Sequence, residues 1–266
     1  MINITGGLAK DMSVIKDIIS RFKGEETIGS RSDGKNTISI TENRGTKSLK
    51  FNGWVYSRFN EKEIYTYSYW DYFIPLPALY DSPKILMIGL GGGTIIRQFL
   101  AFFKGNFRMD VVEINKEVIA LSKKFFGELP ENVRIINDDG AEFIKKAKGE
   151  YKIVILDAYD DINIPQVFLQ QEFIDDACNA LSGDGVLGIN YALLIKAMLH
   201  LDGFTKRLKS RFDVYTLNYG LNSGNMMILC SKKMKKEEIQ KKAAEELNKL
   251  KGAKHILDCY LNMSSK

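Results

Sequence analysis

The chain has 266 residues, of which 45% are hydrophobic and 27% charged, with a formal net charge of +5; this is enough apolar material for a large core in one domain with an appendage or two small domains. No apolar run approaches the roughly 18 residues of a membrane span, and the opening MINITGGLAKDMSV lacks a basic segment followed by an apolar one, so no membrane association and a cytoplasmic location are expected. Cys178, Cys230 and Cys259 are widely spaced, and His200 and His255 lack ligand-spaced neighbours, which argues against a disulfide framework and a metal site.

In chain order, DMSVIKDIISRF at 11–22 places Val14, Ile15, Ile18, Ile19 and Phe22 on one helical face, and KGEETIGSRSDGKN after it reads as a loop. From residue 37 the pattern alternates through TISITE, turns at NRG, and resumes in KSLKFNG and WVYSRF, the pattern of a small antiparallel sheet. The aromatics Trp54, Tyr56, Tyr65, Tyr67, Tyr69, Trp70 and Tyr72 form either a wall around a cation or packing against the main domain or a second subunit.

After about residue 83, apolar strands alternate with helical segments: ILMIGL and TIIRQFLAFF, MDVVEI and KEVIALSKKFF, VRIIN and AEFIKKA, KIVILD and QEFIDDACNAL. GVLGINY, a helix through LLIKAMLHLDGFTKRL, and an antiparallel edge of DVYTLNY and NMMILCS complete the order. The expected fold is α/β, Rossmann-like and doubly wound, with a mostly parallel sheet. Residues 1–82 would carry the helix and small β-domain, and 83–266 the nucleoside-binding domain. Lysines and glutamates interleave at 231–254, with Ile239, Ala243, Leu247 and Leu250 at helical spacing. A solvated C-terminal basic helix with one packed face accounts for the positive charge there, and no nucleic-acid partner is expected.

In such a sheet the ligand lies beyond the carboxyl ends of the strands, after residues 88, 113, 137, 156 and 189. ILMIGLGGGTI at 85–95 is a strand feeding a glycine turn, and Glu113 ends the next strand 20 positions after Gly93. A turn of that kind lets the backbone approach a ligand closely, and the acid can accept bonds from both ribose hydroxyls, so a nucleoside is expected. The sixth position from Gly89 is Thr94, which departs from the dinucleotide fingerprint, and neither a triphosphate loop nor a G-x-S-x-G elbow is present. Asp138, Asp139, Asp157, Asp160 and Asp161 make the rim acidic and call for a cationic or amine-bearing partner.

GLGGGT, VVEIN, NDDGAEFI, KIVILDAYDD, IPQVFLQQEF and GDGVLGIN together resemble, in order and spacing, the spermidine synthase family of polyamine aminopropyltransferases. The resemblance implies the S-adenosylmethionine-dependent methyltransferase type of fold and transfer of an aminopropyl group from decarboxylated S-adenosylmethionine to a small amine such as putrescine, releasing methylthioadenosine. It implies nucleoside contacts at Gly89, Gly91, Gly93, Glu113, Asp139 and Gly140. Asp157 and Asp160 would be the catalytic carboxylates, Asp157 the acid/base residue, with Tyr67, Tyr159 and Asn190 at the amine. By the same likeness the protein forms a homo-oligomer, a dimer or tetramer, and needs no metal.

Departures from the family pattern fall in the turn, where Leu90 replaces a glycine and Gly92 an aspartate that pairs with the donor's amine, and in the amine pocket. There Ala158 and Tyr159 replace two serines, Asn190 a glutamine, and Leu221, within 219–224, a tyrosine. Ordinary S-adenosylmethionine therefore stands beside the decarboxylated form as co-substrate. Methyl transfer on the same fold and a non-catalytic nucleoside-binding protein are the alternative functions.

Overall fold

A computed structural model describes residues 24–160, 163–193, 195–218 and 224–266. The helix expected at 11–22, Asp161 and the Tyr219–Ser223 segment with Leu221 lie outside the described residues. Among the described residues the strands form two main sheets.

The smaller sheet is an antiparallel meander of β1 (Glu26–Ser32), β2 (Thr37–Asn43), β3 (Thr46–Phe51) and β4 (Trp54–Phe59). Its tight turns follow local chemistry: Arg44–Gly45 and Asn52–Gly53 both take positive φ at the two central positions, the conformation whose twist matches that of the flanking strands. β1 falls where the sequence pattern reads as loop. It is a mostly exposed polar edge strand, so it lacks the apolar alternation that marks a half-buried one.

The larger sheet has the order β12-β10-β11-β9-β8-β5-β6-β7. Strands β5 (Lys84–Ile88), β6 (Arg108–Glu113), β7 (Val133–Asn137), β8 (Tyr151–Leu156) and β9 (Leu181–Ala192) are parallel, whereas β10 (Asp213–Asn218), β11 (Asn225–Ser231) and β12 (Ser264–Ser265) form an antiparallel edge. The crossovers carry α1 (Thr94–Phe103), α2 (Lys116–Phe126), α3 (Gly140–Ile144), α4 (Gln171–Ala180) and α5 (Ile195–Lys209). From β5 the chain winds to β6 and β7 on one side, and from β8 to β9 on the other. A crevice therefore opens at the carboxyl ends of β5 and β8.

Both faces of the sheet are covered, and side chains alternate accordingly: Ile85 and Met87 enter one core, Leu86 and Ile88 the opposite one. Two 3-10 helices, Tyr69–Phe73 and Leu76–Leu79, contribute Trp70, Tyr72, Phe73, Leu76 and Leu79 to the first of these cores. The lysine-rich C-terminal region forms α6 (Lys236–Leu247) and α7 (Lys254–Leu261), with Ile239, Ala243 and Leu247 on the packed face. A third core joins Ile38, Ile40, Leu49 and Phe51 of the small sheet to Val118, Leu121 and Phe126 of α2. This contact holds the small sheet over the crevice.

Candidate functional site

The crevice is a cavity of about 620 Å³ lined by the glycine turn, the ends of β6 and β8, the loop after β7 and the small sheet. Its floor starts at Gly89, whose φ is +98° and where a Cβ would lie 2.2 Å from the Asp157 carbonyl oxygen. Glycine is required there because β5 and β8 leave no room for a side chain between their ends. Gly91 (φ +52°) also lines the cavity, and its missing Cβ is replaced by Ser57 of β4, whose Oγ would be 2.4 Å away. Gly93 does not line it: it sits behind the turn as the left-handed cap that starts α1.

The same strand explains Gly92. Its N–H donates to Ser57 Oγ at 2.6 Å, and a Cβ would meet the Phe126 ring at 2.7 Å and Ser57 Cβ at 3.0 Å. No carboxylate fits at this position without moving both neighbours. Thr94 Oγ1 accepts the Arg58 N–H at 3.1 Å and donates to the Arg58 carbonyl at 2.9 Å, which ties β4 to the start of α1. Ser57 and Thr94 thus fasten the turn to the small sheet, a role with no local signal in sequence because the partners are 35 and 36 residues apart.

Glu113 lies at the end of β6, facing the cavity, and its carboxylate accepts the Leu90 N–H at 3.0 Å and the Asn115 N–H at 2.8 Å. Burial raises its pKa against those opposing bonds. Asp139 lines the cavity but also caps α3, accepting from the backbone of Ala141 at 2.8 Å and Glu142 at 3.4 Å. Gly140 lines it for a packing reason, since a Cβ would come within 2.3 Å of Ile88 Cγ2. Ile114 and Val167, both exposed, add apolar surface on this side.

Opposite stands Asp157 at the end of β8. Burial pushes its pKa from 3.8 up to about 6, opposed by a 2.7 Å bond from Asn190 Nδ2 to Oδ1. Its charge change thus lies above the usual carboxylate range, a perturbation common at reactive sites. Asn190 itself stands behind Asp157 and is buried, with Asn225 Nδ2 donating to its Oδ1 at 2.8 Å. Tyr159 lines the cavity and donates its hydroxyl to the Asn190 carbonyl at 2.9 Å. Asp160 is exposed on the cavity margin, held in an antiparallel bridge with Asn163.

Tyr67, expected at the amine, is outside the cavity. It is 63% exposed and lies on the His255 ring at 4.7 Å. Tyr69 occupies the cavity instead, facing Asp157, Tyr159 and Asn190, and burial raises its pKa well above the ordinary phenol value. The swap has a physical cause in the fully buried Asp71. Its carboxylate accepts from the backbone of Thr66 and Tyr67, the Thr66 hydroxyl, Gln98 Nε2 at 2.6 Å and, 2.9 Å away, pairs with His255 Nε2. The loop wraps around that acid, turning Tyr67 outward and Tyr69 inward.

The aromatic stretch is accordingly divided. Trp54, Tyr56 and Tyr69 line the cavity, Trp70 and Tyr72 pack in the core, and Tyr65 stacks on Phe102. No group of three or more metal-ligating side chains occurs among the described residues, and no helix among them is long and apolar enough to cross a membrane.

A family model described as the spermine/spermidine synthase domain matches residues 72–242. A polyamine aminopropyltransferase of Neisseria meningitidis is 32% identical over 173 residues, which is 64% of this chain and 64% of the relative's own length. A spermidine synthase crystallised with the transition-state analogue AdoDATO superposes with a TM-score of 0.71 at 21% identity, covering 88% of this chain and 84% of that one. Human methyltransferase-like protein 13 in complex with SAH gives 0.56 at 20% identity, covering 73% and 89%. At these identities the two structures establish the fold.

Proposed function

The chain belongs to the spermine/spermidine synthase family, and on that premise we propose that it transfers an aminopropyl group from decarboxylated S-adenosylmethionine to a small amine, releasing methylthioadenosine. The observation that carries the reading is Asp157, a half-buried carboxyl of raised pKa facing the same cavity as Glu113. Glu113 would hold the ribose hydroxyls and Gly89 and Gly91 let the backbone close on the donor, while Ile114 and Val167 flank its base. The acidic lining favours a sulfonium cation over a neutral or anionic nucleoside.

An aliphatic amine has a free pKa near 10 and must shed a proton before it attacks. Asp157, ionised above about pH 6, accepts that proton, and Tyr69 with Asp160 orients the amine. The nitrogen lone pair forms the new N–C bond as the C–S bond breaks. The bonding pair passes to sulfur, which leaves as a neutral thioether. The attraction between the cationic donor and the ionised site is thus lost with the product, which favours release.

The test is product analysis after incubation with an amine panel and each donor in turn. Methylthioadenosine formed from the decarboxylated donor only when amine is present is the expected result. S-adenosylhomocysteine from ordinary S-adenosylmethionine, or binding without product from either donor, would overturn the proposal.

A further inference from the structure

The 3-10 turn Tyr69–Phe73 carries side chains to two different places. Tyr69 enters the cavity, whereas Asp71, two residues on, is fully buried outside its lining. The C-terminal helix α7 grips this turn at two points: His255 Nε2 lies 2.9 Å from the Asp71 carboxylate, and the Tyr260 hydroxyl donates to the Tyr72 carbonyl at 2.8 Å. Asp71 already accepts from the Thr66 and Tyr67 backbone, the Thr66 hydroxyl and Gln98, so Nε2 faces it as a further donor. The Tyr67 ring lies on the imidazole at 4.7 Å, and Tyr67 takes a φ of +51°, unfavourable for a residue with a Cβ, while donating its N–H to Asp71 at 2.8 Å. Asp71 and His255 fall on either side of residues 72–242, so the family match does not itself account for the pair.

Resting on the aminopropyl-transfer reading, we propose that His255 is a positioning residue for the acceptor: through Asp71 it holds the turn that presents Tyr69 to the cavity. Asp71 and Tyr69 belong to one short turn, so a shift of the carboxylate carries the ring with it. Without the imidazole a fully buried carboxylate is one donor short, and it admits water or moves toward a new partner. Glu113 takes no part in this network, since its carboxylate is bonded to the Leu90 and Asn115 N–H groups. Loss of His255 should therefore weaken use of the amine and spare the nucleoside.

The test compares His255→Ala, His255→Asn and His255→Gln, using 1,4-diaminobutane or whichever panel amine the wild type uses fastest. His255→Ala should lower kcat/KM for the amine at least about tenfold, mainly through KM, with methylthioadenosine affinity within about threefold of wild type. His255→Asn, whose amide is too short to reach Asp71, should match it and replaces it if the alanine variant does not fold. His255→Gln, whose amide nitrogen takes the place of Nε2, should recover to within about threefold of wild type. In a Tyr69→Ala background, His255→Asn should cost less than about twofold more, because the effect passes through that ring. A tenfold loss that persists in Tyr69→Ala, amine use and methylthioadenosine affinity falling together, glutamine no better than asparagine, or failure of all three variants to fold overturns the inference while leaving aminopropyl transfer standing. No product from the wild type with the decarboxylated donor and any amine removes both.

Discussion

Replacing Asp157 by asparagine should stabilise the protein while stopping its chemistry. The carboxyl has a pKa of about 6 in the fold against 3.8 in the unfolded chain. The folded state therefore binds this proton more tightly, so the group's contribution to stability is greatest below pH 4, falls as pH rises, and is fully lost above pH 6. The shift of about 2 units is worth about 3 kcal/mol. Asparagine is neutral at every pH, has the same shape, and keeps an oxygen to accept the Asn190 bond. Asp157→Asn should therefore exceed wild type by about 3 kcal/mol at pH 8 and by about half that at pH 5. For a chain of this length that is a rise in Tm of roughly 6 °C at pH 8. Thermal denaturation of both proteins at the two pH values reads the effect. A gap that is absent at pH 8, or the same at pH 5, would refute burial as the cause of the shift. In the kinetics, wild-type kcat/KM should rise with pH through about 6, and the variant should lose about a hundredfold or more in kcat with methylthioadenosine affinity retained.

Glu113→Gln should weaken methylthioadenosine binding by about 10- to 100-fold in titration calorimetry, because the anionic acceptor for the ribose hydroxyls is gone; unchanged affinity would place the ribose elsewhere. Ser57→Ala strands the Gly92 N–H in a buried position and should cost about 1–3 kcal/mol in chemical denaturation, whereas a loss below about 0.3 kcal/mol would show that the strand-to-turn bond contributes little. Gly89→Ala puts a Cβ 2.2 Å from the Asp157 carbonyl at a φ of +98°, so loss of more than about 3 kcal/mol or failure to fold is expected. Gly183→Ala, whose Cβ comes no closer than 3.9 Å to Lys233 Nζ, is the control and should stay within about 1 kcal/mol.

How much was legible in sequence depended on how far apart the interacting residues are. The β5–turn–β6 unit was readable because an apolar run, a glycine turn and an acid at the next strand end are all local signals, and Gly89, Gly91 and Glu113 indeed meet at one cavity. Asp157 was readable because it ends an apolar strand. Tyr69 was not: its turn inward is imposed by Asp71, whose partner His255 is 184 residues away. Nor was Gly93, since a left-handed helix cap and a ligand cradle require the same residue. Asp139 shows the same ambiguity in reverse, because it both caps α3 and faces the cavity. β1 was lost because an exposed edge strand has no apolar face to write into the pattern.

This separation by distance also divides the site by function. The proposed nucleoside side is built from strand ends and short turns that the fold itself supplies, and since that fold is shared with the methyltransferase-like neighbour, the fold by itself would not choose between aminopropyl and methyl transfer. On the proposed reading the acceptor would meet the part of the cavity formed by Tyr56 of β4, Tyr69 of the segment after it, Tyr159 beyond β8 and Asn225 of β11, with Asn190 of β9 behind Asp157. The shape of that part depends on the small sheet staying docked through the Ser57 bond, the Arg31–Glu117 pair at 2.7 Å and the 2.9 Å bond from Asn115 to Asp33. Substitutions on the nucleoside side should therefore change how tightly the donor binds, and those on the acceptor side which amine reacts. A variant such as Ser57→Ala, which loosens the joint between the two, should alter both together.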